Sequence, residues 1–193
     1  MISLPDNSGR TVLHWAASSR QIDIVRDVLE NGKVDIDHKD EIGWTALHCA
    51  CSAGSDSVIA LLLERGANVN AKTDNGQVPL HYVASKNHTR KYLYSADRSS
   101  RVLTTNTNLD ILPLLIENGA QLNRQDKYGH SPLHRAASRG YEKIVEGLLR
   151  AGALADPRDN EGNTPLHMAC EEDRLNTGQF IKFLSVYVVI LNL

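Results

Sequence analysis

One four-residue pattern recurs five times in the 193-residue chain: Thr11-Val12-Leu13-His14, Thr45-Ala46-Leu47-His48, Val78-Pro79-Leu80-His81, Ser131-Pro132-Leu133-His134 and Thr164-Pro165-Leu166-His167. Its histidines stand 34, 33, 53 and 33 residues apart. Units this short cannot bury an apolar face alone, so the chain is constrained to a stack in which neighbours complete one another's core. The long interval exceeds the 33-residue period by 20 residues and reads as an insertion in the third unit.

Each quartet starts a helix. Thr11, Thr45, Ser131 and Thr164 supply the oxygen that an N-cap needs, and Val78 does not. Pro79, Pro132 and Pro165 take the first helical position, where a missing N–H costs nothing. Small residues follow (Ala16-Ala17, Ala50-Cys51, Val83-Ala84, Ala136-Ala137, Ala169-Cys170) and allow helices to pack closely. A second helix with a buried apolar stripe is predicted in the first four units: Ile24, Val25, Val28 and Leu29; Val58, Ile59 and Leu61 to Leu63; Ile111, Leu112 and Leu114 to Ile116; Ile144, Val145, Leu148 and Leu149. Gly32, Gly66, Gly119 and Gly152 end it in the left-handed conformation, and short turns close at Gly43, Gly76, Gly129 and Gly162. This is the pattern of ankyrin repeats. The expected fold is all-α, one domain over residues 1–193: an ankyrin-repeat solenoid of helix pairs with short β-hairpin turns. The repeats are expected at about 8–40, 41–73, 74–125, 126–158 and, in part, 159–175.

Two segments break the pattern. Residues 89–108 are polar and aperiodic and are expected to form a loop between the helices of unit three, with Asp110 re-capping the second helix and Pro113 in its first turn. The tail, 176–193, is rich in β-branched and aromatic residues without a polar capping face, and is expected to be sticky.

The near-balance of 21 Lys plus Arg against 23 Asp plus Glu argues against a nucleic-acid or membrane-surface partner. Aromatics at 5% point to an aliphatic core. Three cysteines, Cys49, Cys51 and Cys170, are too few for a disulfide framework and suggest a reducing compartment. The start lacks a signal-peptide pattern, and the apolar run Phe180 to Leu191 is too short to span a bilayer, so a soluble intracellular protein is expected. The five repeat histidines read as structural, satisfying the cap and the adjacent turn. His38, His88 and His130 lack partners at ligand spacing. Cys51 and Cys170 occupy a small buried position, while Cys49 sits at a variable one that can be exposed. Turn carboxylates such as Asp40, Asp126 and Asp159 are explained by capping and solvation. Phosphate-loop, hydrolase-elbow, zincin and EF-hand motifs are absent, so no enzyme, cofactor or metal is expected.

What varies between units points to a protein-binding surface. Trp15, Tyr82 and Arg135 follow repeat histidines; Lys86, Arg139, Glu171 and Glu172 stand at the ends of first helices. Glu41, Trp44, Lys72, Gln77, Lys127 and Tyr128 lie on the turns. Together they line the concave helices and finger tips of an ankyrin stack.

The stretches Thr11–Ser18, Gly43–Gly54, Leu80-His81-Tyr82-Val83-Ala84-Ser85-Lys86-Asn87, His134–Ala137 and Glu161–Glu172 resemble, in order and spacing, the gankyrin-like family of proteasome assembly chaperones. The resemblance covers residues 10–88 and 109–175. It implies binding to the C-terminal domain of a proteasome regulatory-particle ATPase subunit, as a monomer, in cytoplasm and nucleus. It also implies contact roles for Arg10, before the first quartet, and for Lys86. Met168-Ala169-Cys170-Glu171-Glu172 departs from the family's Leu-x-Cys-x-Glu motif by its methionine. The family's first repeat and its final repeat with cap have no counterpart, so a truncated or misassembled product is expected. Two alternatives stay open: an ankyrin adaptor for a kinase, transcription factor or ubiquitin ligase, and an enzyme or metal protein built on Cys49, Cys51 and nearby histidines.

Overall fold

The computed structural model describes residues 4–32, 34–86 and 111–172, together with 177, 179 and 181. The expected insertion and most of the tail lie outside the described residues, as does Asp110. Nine helices are described: α1 (Val12–Ser18), α2 (Ile22–Asn31), α3 (Ala46–Ala53), α4 (Asp56–Glu64), α5 (Pro79–Ser85), α6 (Ile111–Glu117), α7 (Pro132–Arg139), α8 (Glu142–Arg150) and α9 (Pro165–Glu171). Inner helices α1, α3, α5, α7 and α9 pack in series, and α2, α4, α6 and α8 form a second layer behind them. Between the layers runs one aliphatic core that includes Leu13, Leu47, Ile59, Leu62, Leu80, Leu115, Leu133 and Leu148. Ala17, Cys51, Ala84 and Ala137 are fully buried where successive inner helices meet.

The helix starts are built as the quartets require, with an addition. In α1 the His14 ring accepts the Thr11 N–H at Nδ1 (3.2 Å) and lies 2.9 Å from the Thr11 hydroxyl. Accepting at Nδ1 leaves the proton on Nε2, which donates to the Trp44 carbonyl of the next unit at 3.0 Å. The arrangement repeats from His48 to Gln77 O (3.3 Å), from His81 to His130 O (3.0 Å) and from His134 to Asn163 O (3.1 Å). Val78 lacks the hydroxyl, yet its N–H still reaches His81 Nδ1 at 3.1 Å.

The turns form a second chain of contacts. Asp40 Oδ1 accepts the N–H groups of Ile42 and Trp44, at 3.1 and 2.8 Å, and Asp126 and Asp159 close their turns in the same way. Asp6 makes a further turn of this kind ahead of α1. Consecutive tips are joined by single backbone bonds: Glu41 N–H to Ser8 O, Asp74 to Ile42, Lys127 to Asn75 and Asn160 to Tyr128, each 2.9–3.1 Å. At Gly43, with φ +78°, a Cβ would come within 2.7 Å of Asp74 N; at Gly129, φ +80°, within 2.6 Å of Asn160 N. The close approach of the next tip, as much as the left-handed backbone, reserves these positions for glycine.

Several expectations are corrected. No β-strand occurs among the described residues, because one bond per neighbouring tip does not make a ladder; the β-hairpin turns are tight turns only. Gly32 is extended (φ −103°, ψ 141°). It is held to glycine by the Val28 carbonyl oxygen, 2.5 Å from where a Cβ would stand. Ile24 is 42% exposed, whereas Val58 and Ile144, at the same register in helices preceded by an outer helix, are buried. Cys49 is buried under its neighbours and Cys170 is exposed, on an inner helix against which no later inner helix packs among the described residues.

Burial lowers the pKa of His14, His48, His81 and His134, that of His48 to about 4. Unfolded imidazoles titrate near ~6.5, so the folded state binds fewer protons below that value and stability falls with pH. It is complete above about pH 6.5 and declines toward pH 4, by up to ~1.4 kcal/mol per unit for each fully buried histidine. The carboxylates held low, such as Asp126 and Asp159, act below this window. The urea midpoint should therefore drop between pH 7 and 5; an unchanged midpoint would mean that the folded stack accepts the protons. Val78→Thr supplies the missing cap hydroxyl and should raise stability by about 1 kcal/mol. A lowered urea midpoint for that variant would show that the buried valine methyl outweighs the cap.

Candidate functional site

The inner helices and turn tips present one face, and the variable residues fall on it in three groups. At the first turn, Arg10 Nε donates to Asp40 Oδ2 at 3.2 Å, and its guanidinium lies 5.6 Å from the centre of the Trp15 ring. Trp15 is 52% exposed, with its indole N–H on Asp6 Oδ2 at 3.0 Å. Backbone N–H groups of Arg10 and Ser8 hold the Asp6 carboxyl below the usual carboxylate range.

A second group crosses units two to four. Trp44 and Tyr82 meet edge to face with centroids 4.6 Å apart. The Tyr82 hydroxyl donates to Gln77 Oε1 (2.8 Å), Gln77 Nε2 reaches Asp126 Oδ2 (3.4 Å), and Arg135 Nη2 donates to the same oxygen at 2.7 Å. Burial works to raise the Asp126 pKa, but hydrogen bonds from Arg135 and from the His130 and Tyr128 N–H groups outweigh it and keep the carboxylate ionised to low pH. Burial also raises the Tyr82 phenol, which stays neutral.

The remaining candidates are exposed, and of these Tyr128 and Glu171 share one pocket. Glu41, Lys72, Lys127 and Tyr128 stand on turns; Lys86, Arg139, Glu171 and Glu172 stand at the C-terminal ends of inner helices. The structure thus joins Arg10 to Trp15, and Trp44, Gln77, Tyr82 and Arg135 to one another. Sequence reasoning assigned Asp40 and Asp126 to capping and solvation and missed Asp6. Asp40 and Asp126 do cap their turns with Oδ1, but each is 6% exposed and uses Oδ2 to hold an arginine in place. The recurrent Asp-x-x-Gly at 6, 40, 126 and 159 was the available signal.

Cys49 and Cys51 are poor candidates for a nucleophile or metal ligand, being buried thiols. Burial pushes Cys49 up to about 12 and raises Cys51 as well, so both are protonated. Among the described residues no group of three or more His, Cys, Asp or Glu is placed to hold a metal ion, and no helix is long and apolar enough to cross a membrane.

Comparison with known proteins matches the family described as "Ankyrin repeats (3 copies)" to residues 32–102 and 100–185, and "Ankyrin repeat" to residues 8–41. The chain is 34% identical over 152 residues to a Saccharomyces cerevisiae protein named "Probable 26S proteasome regulatory subunit p28", covering 76% of this chain and 58% of that protein. It is 31% identical over 151 residues to the mouse "B-cell lymphoma 3 protein homolog", covering 76% of this chain and 29% of the relative. With the human "Transient receptor potential cation channel subfamily A member 1" it shares 28% over 162 residues, 76% of this chain and 14% of the channel. The chain therefore spans less than two thirds of each of these relatives. Family matches over most of its length, joined to a turn and inner helix built five times on one plan, place the chain in the ankyrin-repeat family.

Proposed function

We propose that this ankyrin-repeat protein-binding scaffold grips the C-terminal domain of a proteasome regulatory-particle ATPase subunit and chaperones assembly of the proteasome base, acting as a monomer in cytoplasm and nucleus. The observation that carries this reading is the 34% identity over 152 residues to the yeast protein whose name places it among proteasome regulatory subunits. The physical support is a charged, pre-organised face. Arg10 is held between the Asp40 carboxylate and the Trp15 ring, and Arg135 by Asp126, so less side-chain freedom is lost when a partner carboxylate arrives. Exposed Lys86 adds a third cation for the same partner.

A second reading, an adaptor for a kinase, transcription factor or ubiquitin ligase, draws on the equal 76% share of the chain that aligns with the mouse B-cell lymphoma 3 homolog. Affinity purification of the endogenous protein with mass spectrometry separates the two: base ATPase subunits should dominate the first, and their absence would end it.

Arg10→Met keeps the stem over Trp15 without placing a carboxylate against Asp40. Combined with Lys86→Glu it should weaken capture of the ATPase C-terminal domain by about tenfold, a loss of ~1.4 kcal/mol. Raising ionic strength from about 0.1 to 1 M, which shortens the screening length from ~10 to ~3 Å, should weaken the parent protein too. Equal binding by parent and double variant, measured by calorimetry, would show that these two cations are not the contacts.

A further inference from the structure

Between the fourth and fifth turn tips and α9 lies a pocket of about 250 Å³, lined chiefly by Tyr128, His130, Asp159, Glu161, Met168 and Glu171. Ligand and cofactor sites usually occupy roughly 300–1,000 Å³, so this one suits a single side chain. Its walls are fixed by Asn160, whose backbone N–H donates to Tyr128 O at 3.1 Å and whose side-chain Nδ2 donates to Lys127 O at 2.8 Å.

The lining is chemically one-sided. Tyr128 is 58% exposed and stacks on His130, with centroids 6.0 Å apart at 30°. Half-buried Met168 supplies an apolar thioether. Asp159 is already engaged, with Oδ1 accepting the N–H groups of Glu161 and Asn163 and Oδ2 facing His130 Nε2 at 3.4 Å. Glu161 and Glu171 are exposed, and neither enters an ion pair among the described residues. No lysine or arginine lines the cavity, and His130 Nδ1 is buried in its wall without a partner. Glu161 Oε2 takes only a long contact from Asn163 Nδ2, at 3.4 Å. An open aromatic face, a thioether and two carboxylates without a cationic partner among the described residues complement a long apolar stem that ends in a planar cation.

We propose that this pocket receives an arginine side chain of a partner protein, its guanidinium stacked on Tyr128 and shared by Glu161 and Glu171, its stem against Met168. The assignment goes beyond the proteasomal reading, because it specifies a residue on the partner without requiring any one partner.

Met1 and Met168 are the chain's two methionines, which makes the readout direct. The full-length protein carrying 13C-methyl methionine is titrated with N-acetyl-arginine methylamide and, in parallel, with its neutral citrulline counterpart. The arginine probe should shift the Met168 methyl saturably and leave Met1 unmoved; the citrulline probe should do neither. Glu161→Gln with Glu171→Gln, and separately Tyr128→Ala, should each weaken the arginine response by about tenfold, equivalent to ~1.4 kcal/mol. Glu117→Gln on the outer layer should leave it unchanged. An equal response to citrulline, no response at Met168, or full binding by the double variant would overturn the proposal. The probe carries no proteasomal sequence, so this test and the ATPase-domain test fail independently.

Discussion

An imidazole that accepts at one nitrogen and donates at the other can close a helix and hold the next repeat while remaining neutral and buried. A lysine in the same place could not accept the cap N–H, and a carboxylate could not donate to the following turn and would bring a charge into a nearly dry site. His14, His48, His81 and His134 each do both, so the register between units is set by a hydrogen bond as well as by packing. The aliphatic core alone, made of Leu, Val and Ala, would tolerate sliding of one helix pair over another. A directed bond from Nε2 to one particular carbonyl does not.

Much of this architecture could be read from one residue pattern. The quartets marked all five inner helices because hydroxyl caps and N1 prolines act locally, and local chemistry is visible in sequence. The apolar stripes of α4 and α8 were legible for the same reason, since Val58, Ile59, Ile144 and Val145 are buried as their spacing implies. The misreadings arose where the neighbour decided the outcome. Ile24 has the right spacing without an outer helix ahead of it among the described residues, and Gly32 is dictated by a carbonyl oxygen four residues back. The absent strands belong here too, because a turn becomes a hairpin only if its flanks find further partners. On the binding face the residue types were legible and the groupings were not. Nothing along the chain announces that Gln77 and Arg135 converge on Asp126, which lies 49 residues from the first and 9 from the second.

The face is organised by buried acids that hold half-buried bases. Asp40 and Asp126 each divide their two oxygens between the turn beneath and an arginine above. The folding element and the recognition element therefore share a carboxylate, and the arginine's position is as fixed as the turn itself. Toward α9 the polarity reverses. There Glu161 and Glu171 have no cationic partner among the described residues and stand beside an open aromatic ring, so the two ends of one surface ask for opposite charges.

A main-chain bond ties each tip to the next, and the residue at the apex contributes only its backbone carbonyl to that bond. Ser8, Ile42, Asn75, Tyr128 and Glu161 occupy the same geometric place and have no chemistry in common. The backbone bond makes no demand on the side chain at Ser8, Ile42, Asn75 or Tyr128, while the glycine after each apex holds a left-handed backbone. Such a row works like movable type, in which a new partner can be addressed one letter per repeat and the frame that carries the letters is left untouched.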